Sequence, residues 1–137
     1  KTSAFLNFQN KQSESILYIY EKQTGSKYNF NRAEYQKRVN MILSHGENSN
    51  SGHMMAVGAS ENRLNTLPKI KIPTLIIHGT EDPLIPLDHG KKTHSLINNS
   101  KLLVLEGVGH EFVKEQYEFI ASEIYNHIRN VKGEKDE

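Results

Sequence analysis

The first half of the chain carries apolar residues at helical spacing, separated by polar turns. Within residues 13–22, Ile16, Leu17 and Tyr20 fall on one face of a helix. Gly25 follows shortly afterwards, and a glycine just past a periodic segment is a common helix stop. The pattern therefore predicts a first helix that ends before Gly25.

A second helix is predicted between Asn31 and Gly46. Asn31 is followed three positions later by Glu34, which resembles a capping box. The next apolar residues recur at helical spacing and form one amphipathic stripe. This stripe consists of Tyr35, Val39, Ile42 and Leu43. A short third helix is predicted over residues 53–59.

The second half alternates between strand and helix patterns. Residues 74–78 read TLIIH, a short run rich in β-branched residues between a proline and a glycine, which is typical of a parallel strand buried on both faces. A helix is predicted over residues 87–98 and a second buried strand over residues 101–105. A last amphipathic helix begins soon after Glu111. Strand, helix and strand in this order predict two parallel strands joined by a crossover.

Composition changes near residue 68 and suggests how the chain is organised. The chain has 137 residues and a mass of 15.7 kDa, which is enough for about one domain. Residues 1–67 are rich in Asn, Ser, Gln and Lys and are predicted to form a helical layer. Residues 68–131 hold the strand–helix–strand–helix segment, and residues 132–137 read as a solvated tail.

Charge and hydropathy exclude several classes of function. The 17 Lys and Arg residues against 16 Asp and Glu give a net charge of +1, without the basic face that binds nucleic acid. Mean hydropathy is −0.64, and no apolar run approaches the roughly 20 residues that span a membrane. The chain contains no cysteine, which excludes disulfides, thiolate metal sites and a cysteine nucleophile. This composition fits a cytoplasmic, reducing location.

Two loops that follow the predicted strands carry the candidate chemistry. Asp82 lies in the loop after the first strand, and His110 lies in the loop after the second. The carboxyl ends of neighbouring parallel strands meet at one edge of a sheet, so these side chains are expected to meet. A carboxylate beside an imidazole fixes its tautomer and leaves the other ring nitrogen free to act as a general base.

These two segments resemble the acid and histidine segments of the α/β-hydrolase superfamily. Residues 72–86 read IPTLIIHGTEDPLIP and residues 103–111 read LVLEGVGHE. The resemblance covers about residues 68–131 and implies an α/β fold, with Asp82 as the triad acid and His110 as the triad base. It also implies that the two strands are the last two of the family's sheet. The preceding residues would then be the end of a helical cap.

One departure from the family pattern is informative. The family orders its triad as Ser, Asp or Glu, then His, and its serine lies in a G-x-S-x-G elbow. No such elbow occurs in this chain. The resemblance therefore implies a C-terminal fragment, inactive alone, of a serine hydrolase whose serine lies upstream. The expected substrate is a small-molecule acyl compound, an ester by default, with no cofactor. The expected partner is the missing N-terminal half of the fold.

Other residues were weighed against these assignments. Glu81, Glu106 and Glu111 are alternative triad acids, although solvated loop charges explain them more simply. Ser60 has neither a preceding strand nor elbow spacing and reads as a cap residue. The histidines outside the motif do not stand at metal-ligand spacing, so no metal site is expected. Four residues are candidates for lining a substrate pocket: Tyr35, Met54, Met55 and Leu84.

A second hypothesis is a non-catalytic binding or regulatory module. An unpaired strand of buried type invites pairing with another chain. Residues 74–78 would provide such an exposed edge, and self-association about a two-fold axis would cover it. Under either hypothesis the isolated chain is expected to self-associate. An elbow serine upstream favours the hydrolase, whereas a start codon close to Lys1 favours the binding module.

Overall fold

The computed structural model describes residues 3–45, 51–60 and 62–132. Helices come first, and a strand–helix–strand–helix segment follows them, as the apolar pattern predicts. The first part contains α1 (Ser3–Thr24), α2 (Arg32–Ser44) and α3 (Ser51–Gly58), then 3-10 turns at Arg63–Asn65 and Leu67–Lys69. The second part contains β1 (Thr74–Gly79), α4 (Leu87–Leu96), β2 (Ser100–Leu105), a 3-10 turn at Lys114–Gln116 and α5 (Tyr117–Lys132).

The predicted helix boundaries agree with the structure where a capping residue or a glycine marks the helix end in the sequence. α1 ends at Thr24, directly before Gly25. Asn31 caps α2, and its side-chain oxygen accepts a hydrogen bond from the backbone N–H of Glu34 at 3.2 Å. The start of α1 lies ten residues earlier than predicted, because the polar run QNKQ at residues 9–12 interrupts the apolar spacing that marks a helix. The predicted stop at Gly46 lies outside the described residues.

Contacts divide the chain into two compact units. The first unit comprises residues 1–22 and 30–62. Its core contains fully buried Leu17 and Val39 from facing helices, together with the ring of Tyr35. Partly buried residues surround this core, namely Ile16, Tyr20, Phe30 and Leu43. The boundary near residue 68 rests on composition and stays a prediction.

The second unit comprises residues 23–29 and the chain from residue 63 onward. β1 and β2 pair in parallel, in a register that runs from Thr74 opposite Ser100 to Gly79 opposite Leu105. Helix α4 connects the two strands and packs against both. The core of this unit contains Leu105, Val108 and Ile120, with Tyr28, Ile77, Leu103 and Phe112 packed around them.

The two strands are less buried than their sequences predict. All but one of the β1 residues are only partly buried, and Val104 of β2 is exposed. The prediction of burial on both faces is therefore wrong for the described chain, because this chain contributes two strands and covers their faces only in part. Within the described ranges, no helix has the length and apolar content required to cross a bilayer.

Candidate active site

The loops that follow β1 and β2 lie against each other at one edge of the sheet. The backbone N–H of Thr80 donates to the carbonyl of Leu105 at 3.0 Å, and the N–H of Glu81 donates to the carbonyl of Val108 at 2.9 Å. The hydroxyl of Thr80 accepts the N–H of Gly107 at 2.9 Å. Hydrogen bonds thus continue beyond the paired strands, and they hold residues 80–86, the acid loop, beside residues 106–112, the histidine loop.

Two glycines allow this close approach. A Cβ on Gly79 would lie 2.7 Å from the carbonyl carbon of Val108 and closer still to its oxygen. Any side chain at position 79 would therefore push the histidine loop away. Gly107 has a φ of +68°, a left-handed conformation that residues with a side chain rarely adopt. It begins the turn that leads from β2 to His110.

Asp82 and His110 form the central pair of the site. Nδ1 of His110 lies 2.7 Å from Oδ2 of Asp82. The other carboxylate oxygen, Oδ1, accepts the backbone N–H groups of Leu84 at 2.8 Å and Ile85 at 2.9 Å. The Asp82 side chain is 6% exposed and that of His110 is 40% exposed. A nearly buried carboxylate is therefore fixed by its own loop and presents one oxygen to a half-exposed imidazole.

The environment of Asp82 favours its charged form. Burial alone would raise the pKa of this carboxyl, but the hydrogen bond from Ile85 lowers it, as do those from His110 and Leu84. The net result is a pKa below the ordinary value of 3.8. Asp82 is thus an anion at neutral pH and accepts a hydrogen bond from the imidazole N–H.

The hydrogen bond to Asp82 determines the tautomer of His110. A carboxylate only accepts, so Nδ1 of His110 carries the ring proton. Nε2 of the neutral ring then bears a lone pair, and no other described residue forms a hydrogen bond with this nitrogen. This arrangement can abstract a proton at Nε2, while Asp82 stabilises the resulting imidazolium.

A further segment that the sequence analysis did not identify also holds the two loops. We call residues 23–29 the anchor segment. Its Ser26 donates both its backbone N–H, at 2.7 Å, and its hydroxyl, at 2.6 Å, to the carboxylate of Glu81. Backbone bonds link the same segment to the histidine loop: Lys27 N to Gly107 O, Gly109 N to Thr24 O and Glu111 N to Gln23 O. No sequence motif marks this segment.

The alternative acids occupy other positions. Glu81 is hydrogen-bonded to Ser26, and Glu106 is exposed. Among the described residues, the carboxylate bonded to His110 is that of Asp82. The hydroxyl of Ser60 donates to the backbone carbonyl of Ala56 at 2.8 Å, as expected for a helix-end residue.

The four candidate lining residues have different environments. Tyr35 is buried in the core of the first unit. Met55 and Leu84 are largely exposed, and Leu84 lies in the acid loop. The side chain of Met54 lies outside the described residues. Their contact with substrate stays a prediction.

Described histidines outside the site make other contacts. Nδ1 of His94 is 2.8 Å from the hydroxyl of Ser100, so this histidine bonds at the end of α4. Across the part of the chain that the structure describes, no three His, Asp or Glu side chains are grouped so that they could hold a metal ion.

Comparison with known proteins identifies the family. A family model for the α/β-hydrolase fold matches residues 7–117, which is more than half of the chain. The chain belongs to the α/β-hydrolase fold family. The resemblance inferred from the acid and histidine segments is thereby confirmed, as is the fold class. As an α/β hydrolase, the chain covers only part of the fold.

Its relatives include esterases and other hydrolases. It is 35% identical over 65 residues to the bifunctional esterase/perhydrolase of Acinetobacter calcoaceticus, covering 47% of this chain and 24% of that protein. It is 44% identical over 45 residues to a non-heme chloroperoxidase of Kitasatospora aureofaciens, covering 32% and 16% respectively. The solved esterase of Exiguobacterium antarcticum aligns with a TM-score of 0.62 and 25% identity, over 90% of this chain and 46% of that one.

The chain spans about half the length of the solved esterase, and its matches span about a quarter or less of the two curated relatives. The matches establish the α/β-hydrolase fold family.

Proposed function

We propose that this chain provides the acid and the base of a Ser-His-Asp triad in a carboxylic ester hydrolase. Asp82 is the acid, His110 is the base, and the nucleophilic serine lies in sequence upstream of residue 1. The chain alone is then inactive in acyl transfer. The observation that carries the proposal is the 2.7 Å contact between Nδ1 of His110 and Oδ2 of Asp82.

The proposed reaction uses both nitrogens of His110. Nε2 takes the proton of the upstream serine as its oxygen attacks the ester carbonyl. The imidazolium then gives this proton to the leaving alkoxide, which departs as an alcohol and leaves an acyl-enzyme. A water molecule attacks the acyl-enzyme in the second half, and His110 again accepts and returns the proton. Asp82 stays ionised throughout and stabilises the imidazolium.

The esterase relatives support an ester as substrate. One relative is named an esterase/perhydrolase and a structural neighbour is named an esterase. In this proposal residues 1–67 are the end of a helical cap. Tyr35, Met54, Met55 and Leu84 are its candidate contacts with the acyl group. The N-terminal half of the fold completes the enzyme by supplying the serine and the oxyanion hole.

Fluorophosphonate labelling of the native gene product tests the proposal. The probe bonds covalently to an activated serine, and intact mass then reports which species carries it. We expect an adduct on a protein that contains this sequence and is about twice its 15.7 kDa mass. An unlabelled gene product of 15.7 kDa would refute the proposal.

Two variants of the same gene product test the assigned roles. Asp82→Asn leaves the shape of the carboxyl but reverses the tautomer of His110, so kcat for a nitrophenyl ester should fall by roughly 10⁴-fold. His110→Ala should lose a comparable amount. Glu106→Gln is a matched control, because this exposed carboxylate lies four positions from His110 and should change kcat little. Turnover close to wild type in Asp82→Asn or His110→Ala would remove that residue from the triad.

The second candidate function is a binding module that self-associates. Apolar side chains along one side of α5 are exposed in the described chain, and they would need a partner. These are Ile124, Ile128 and Val131. Both candidates predict that the isolated chain self-associates, since a fragment also leaves apolar surface uncovered. Sedimentation of the purified 137-residue chain at low micromolar concentration tests this expectation, and a 15.7 kDa monomer with a cooperative melt would count against the fragment interpretation. A native gene product with a start codon close to residue 1 would favour the binding module, and an upstream elbow serine would favour the hydrolase.

A further inference from the structure

His78 is a nearly buried titratable residue for which the proposed reaction has no use. It is the last residue of β1 before Gly79, and its side chain is 11% exposed. Its Nε2 lies 2.7 Å from the backbone carbonyl of Ile85 and 3.7 Å from Oδ2 of Asp82. A second imidazole therefore lies beside the carboxylate that His110 uses.

The partner of Nε2 defines the state of the His78 ring. A backbone carbonyl only accepts hydrogen bonds, so Nε2 carries a proton and donates it to Ile85. The separation of 3.7 Å from Asp82 exceeds hydrogen-bond distance. His78 therefore leaves Oδ2 of Asp82 to His110 and acts on the loop backbone instead.

Ile85 links this bond to the triad acid. Its carbonyl accepts from His78, while its own N–H donates to Oδ1 of Asp82 at 2.9 Å. The carbonyl and the N–H of Ile85 thus link His78 of β1 to the carboxylate of Asp82. With Oδ1 held by the N–H groups of Ile85 and Leu84, the carboxylate can turn only one oxygen towards His110.

The opposite edge of the His78 ring is held by α4. A Cβ on Gly90 would lie 2.6 Å from Nδ1 and 3.0 Å from Cγ of this ring. Gly90 is buried within α4, a position where glycine weakens a helix. The glycine makes room for the imidazole, and the helix backbone then prevents the ring from moving away from Ile85.

We propose that His78 is a positioning residue, which holds the loop from Asp82 to Ile85 so that Oδ2 of Asp82 faces His110. The inference rests on the proposed hydrolase function for its kinetic consequence. Its structural part, the Nε2–H bond to Ile85, stands independently of that function. His78 itself does not contact the reacting atoms.

A pair of substitutions separates this role from simple packing. In His78→Gln the side-chain NH₂ can occupy the position of Nε2 and still donate to Ile85. In His78→Asn the shorter amide reaches only the position of Nδ1, so the donor is lost. In the full-length gene product we expect His78→Gln to retain most of kcat and His78→Asn to lose about tenfold, with KM little changed. Equal kcat values for the two variants, or a change confined to KM, would overturn the proposal.

A spectroscopic measurement tests the same inference without activity. ¹⁵N-histidine labelling of the full-length gene product reports which ring nitrogen of His78 carries its proton, and it reports the Nδ1–H proton of His110. We expect the Nε2–H tautomer at His78. We also expect the His110 signal to persist in His78→Gln and to be lost or to exchange rapidly in His78→Asn. An Nδ1–H tautomer at His78, or an unchanged His110 signal in both variants, would overturn the proposal.

Two further variants keep the outcomes distinguishable. Gly90→Ala displaces the imidazole of His78 without changing its chemistry and should also lower kcat. This variant keeps the proposal testable if His78→Asn does not fold. Asp82→Asn tests the hydrolase assignment itself. If Asp82→Asn kept full activity, the proposed function would fail, and the tautomer and the His110 signal would still decide the role of His78.

Discussion

Replacing Gly79 by alanine should disturb stability and catalysis together, because this glycine lies where the acid and histidine loops meet. The added Cβ would lie 2.7 Å from the carbonyl carbon of Val108, whereas ordinary contacts begin near 3.4 Å. The loops must therefore separate by about 0.7 Å or more. The obstacle is backbone, so no rotamer change can relieve the overlap.

The size of this shift determines the expected effects. Overpacking against a rigid neighbour costs about 1–3 kcal/mol in free energy of unfolding. A separation of about 0.7 Å applied to the 2.7 Å bond between His110 and Asp82 would take it beyond good hydrogen-bond distance. Misplacement on this scale can lower kcat by up to about 100-fold.

Urea denaturation and ester turnover of the full-length gene product measure both effects. Gly58→Ala is the matched control, because a Cβ at this last residue of α3 meets nothing within 4 Å. The control should leave stability and turnover unchanged or slightly improve stability. The reasoning is refuted if Gly79→Ala behaves like Gly58→Ala in both measurements.

Two further predictions concern the carboxylates of the acid loop. Ser26→Ala removes the hydroxyl bond to Glu81 and should lower the free energy of unfolding by about 1 kcal/mol or less, since the pair is exposed. Urea denaturation measures this effect, with Ser15→Ala as the control because its hydroxyl bonds only within α1. Equal effects of the two substitutions would contradict the prediction. The lowered pKa of Asp82 contributes stability above pH 3.8 that is lost as pH falls through the folded-state value. Unfolding free energies measured between about pH 5 and 2 should therefore fall more steeply in wild type than in Asp82→Asn, and parallel curves would show that the carboxylate is not stabilised by folding.

The pairing of Asp82 with His110 could be anticipated from the sequence because two simple signals coincide. Each residue follows a short aliphatic run that ends in a tight loop, and strand–helix–strand order makes the two runs parallel neighbours. Parallel strands bring such loops to one edge. The structure agrees with this geometry to the level of a hydrogen bond between Nδ1 and Oδ2.

Contacts between distant segments could not be anticipated in this way. Ser26 and Glu81 are 55 positions apart, and neither belongs to a recognisable pattern. His78 reads in the sequence as one more residue of a buried strand, since its bond to Ile85 depends on the path of the following loop. These residues hold the site in place, yet their sequence context carries no sign of it.

The sequences of β1 and β2 are suited to burial on both faces, but the described chain covers these faces only in part. Their runs of Leu, Ile and Val are typical of strands covered on both faces, whereas Val104 and one side of α5 are exposed. The apolar pattern of a strand indicates the burial for which its sequence is suited, and the observed burial shows how much of that covering the described residues provide. In the proposed hydrolase, the N-terminal half of the fold would cover this exposed surface.

The contacts that hold the acid–base pair do not involve these exposed surfaces. Among the described residues, the hydrogen bonds that orient Asp82 come from its own loop and from His110, and those that hold the two loops come from the strand ends and the anchor segment. The pair is therefore assembled by the second unit itself. What this unit leaves accessible is the half-exposed ring of His110, whose Nε2 bears the lone pair. A nucleophile brought to that nitrogen by another segment would meet a base whose tautomer and orientation are already set, which is the arrangement that the proposed hydrolase requires.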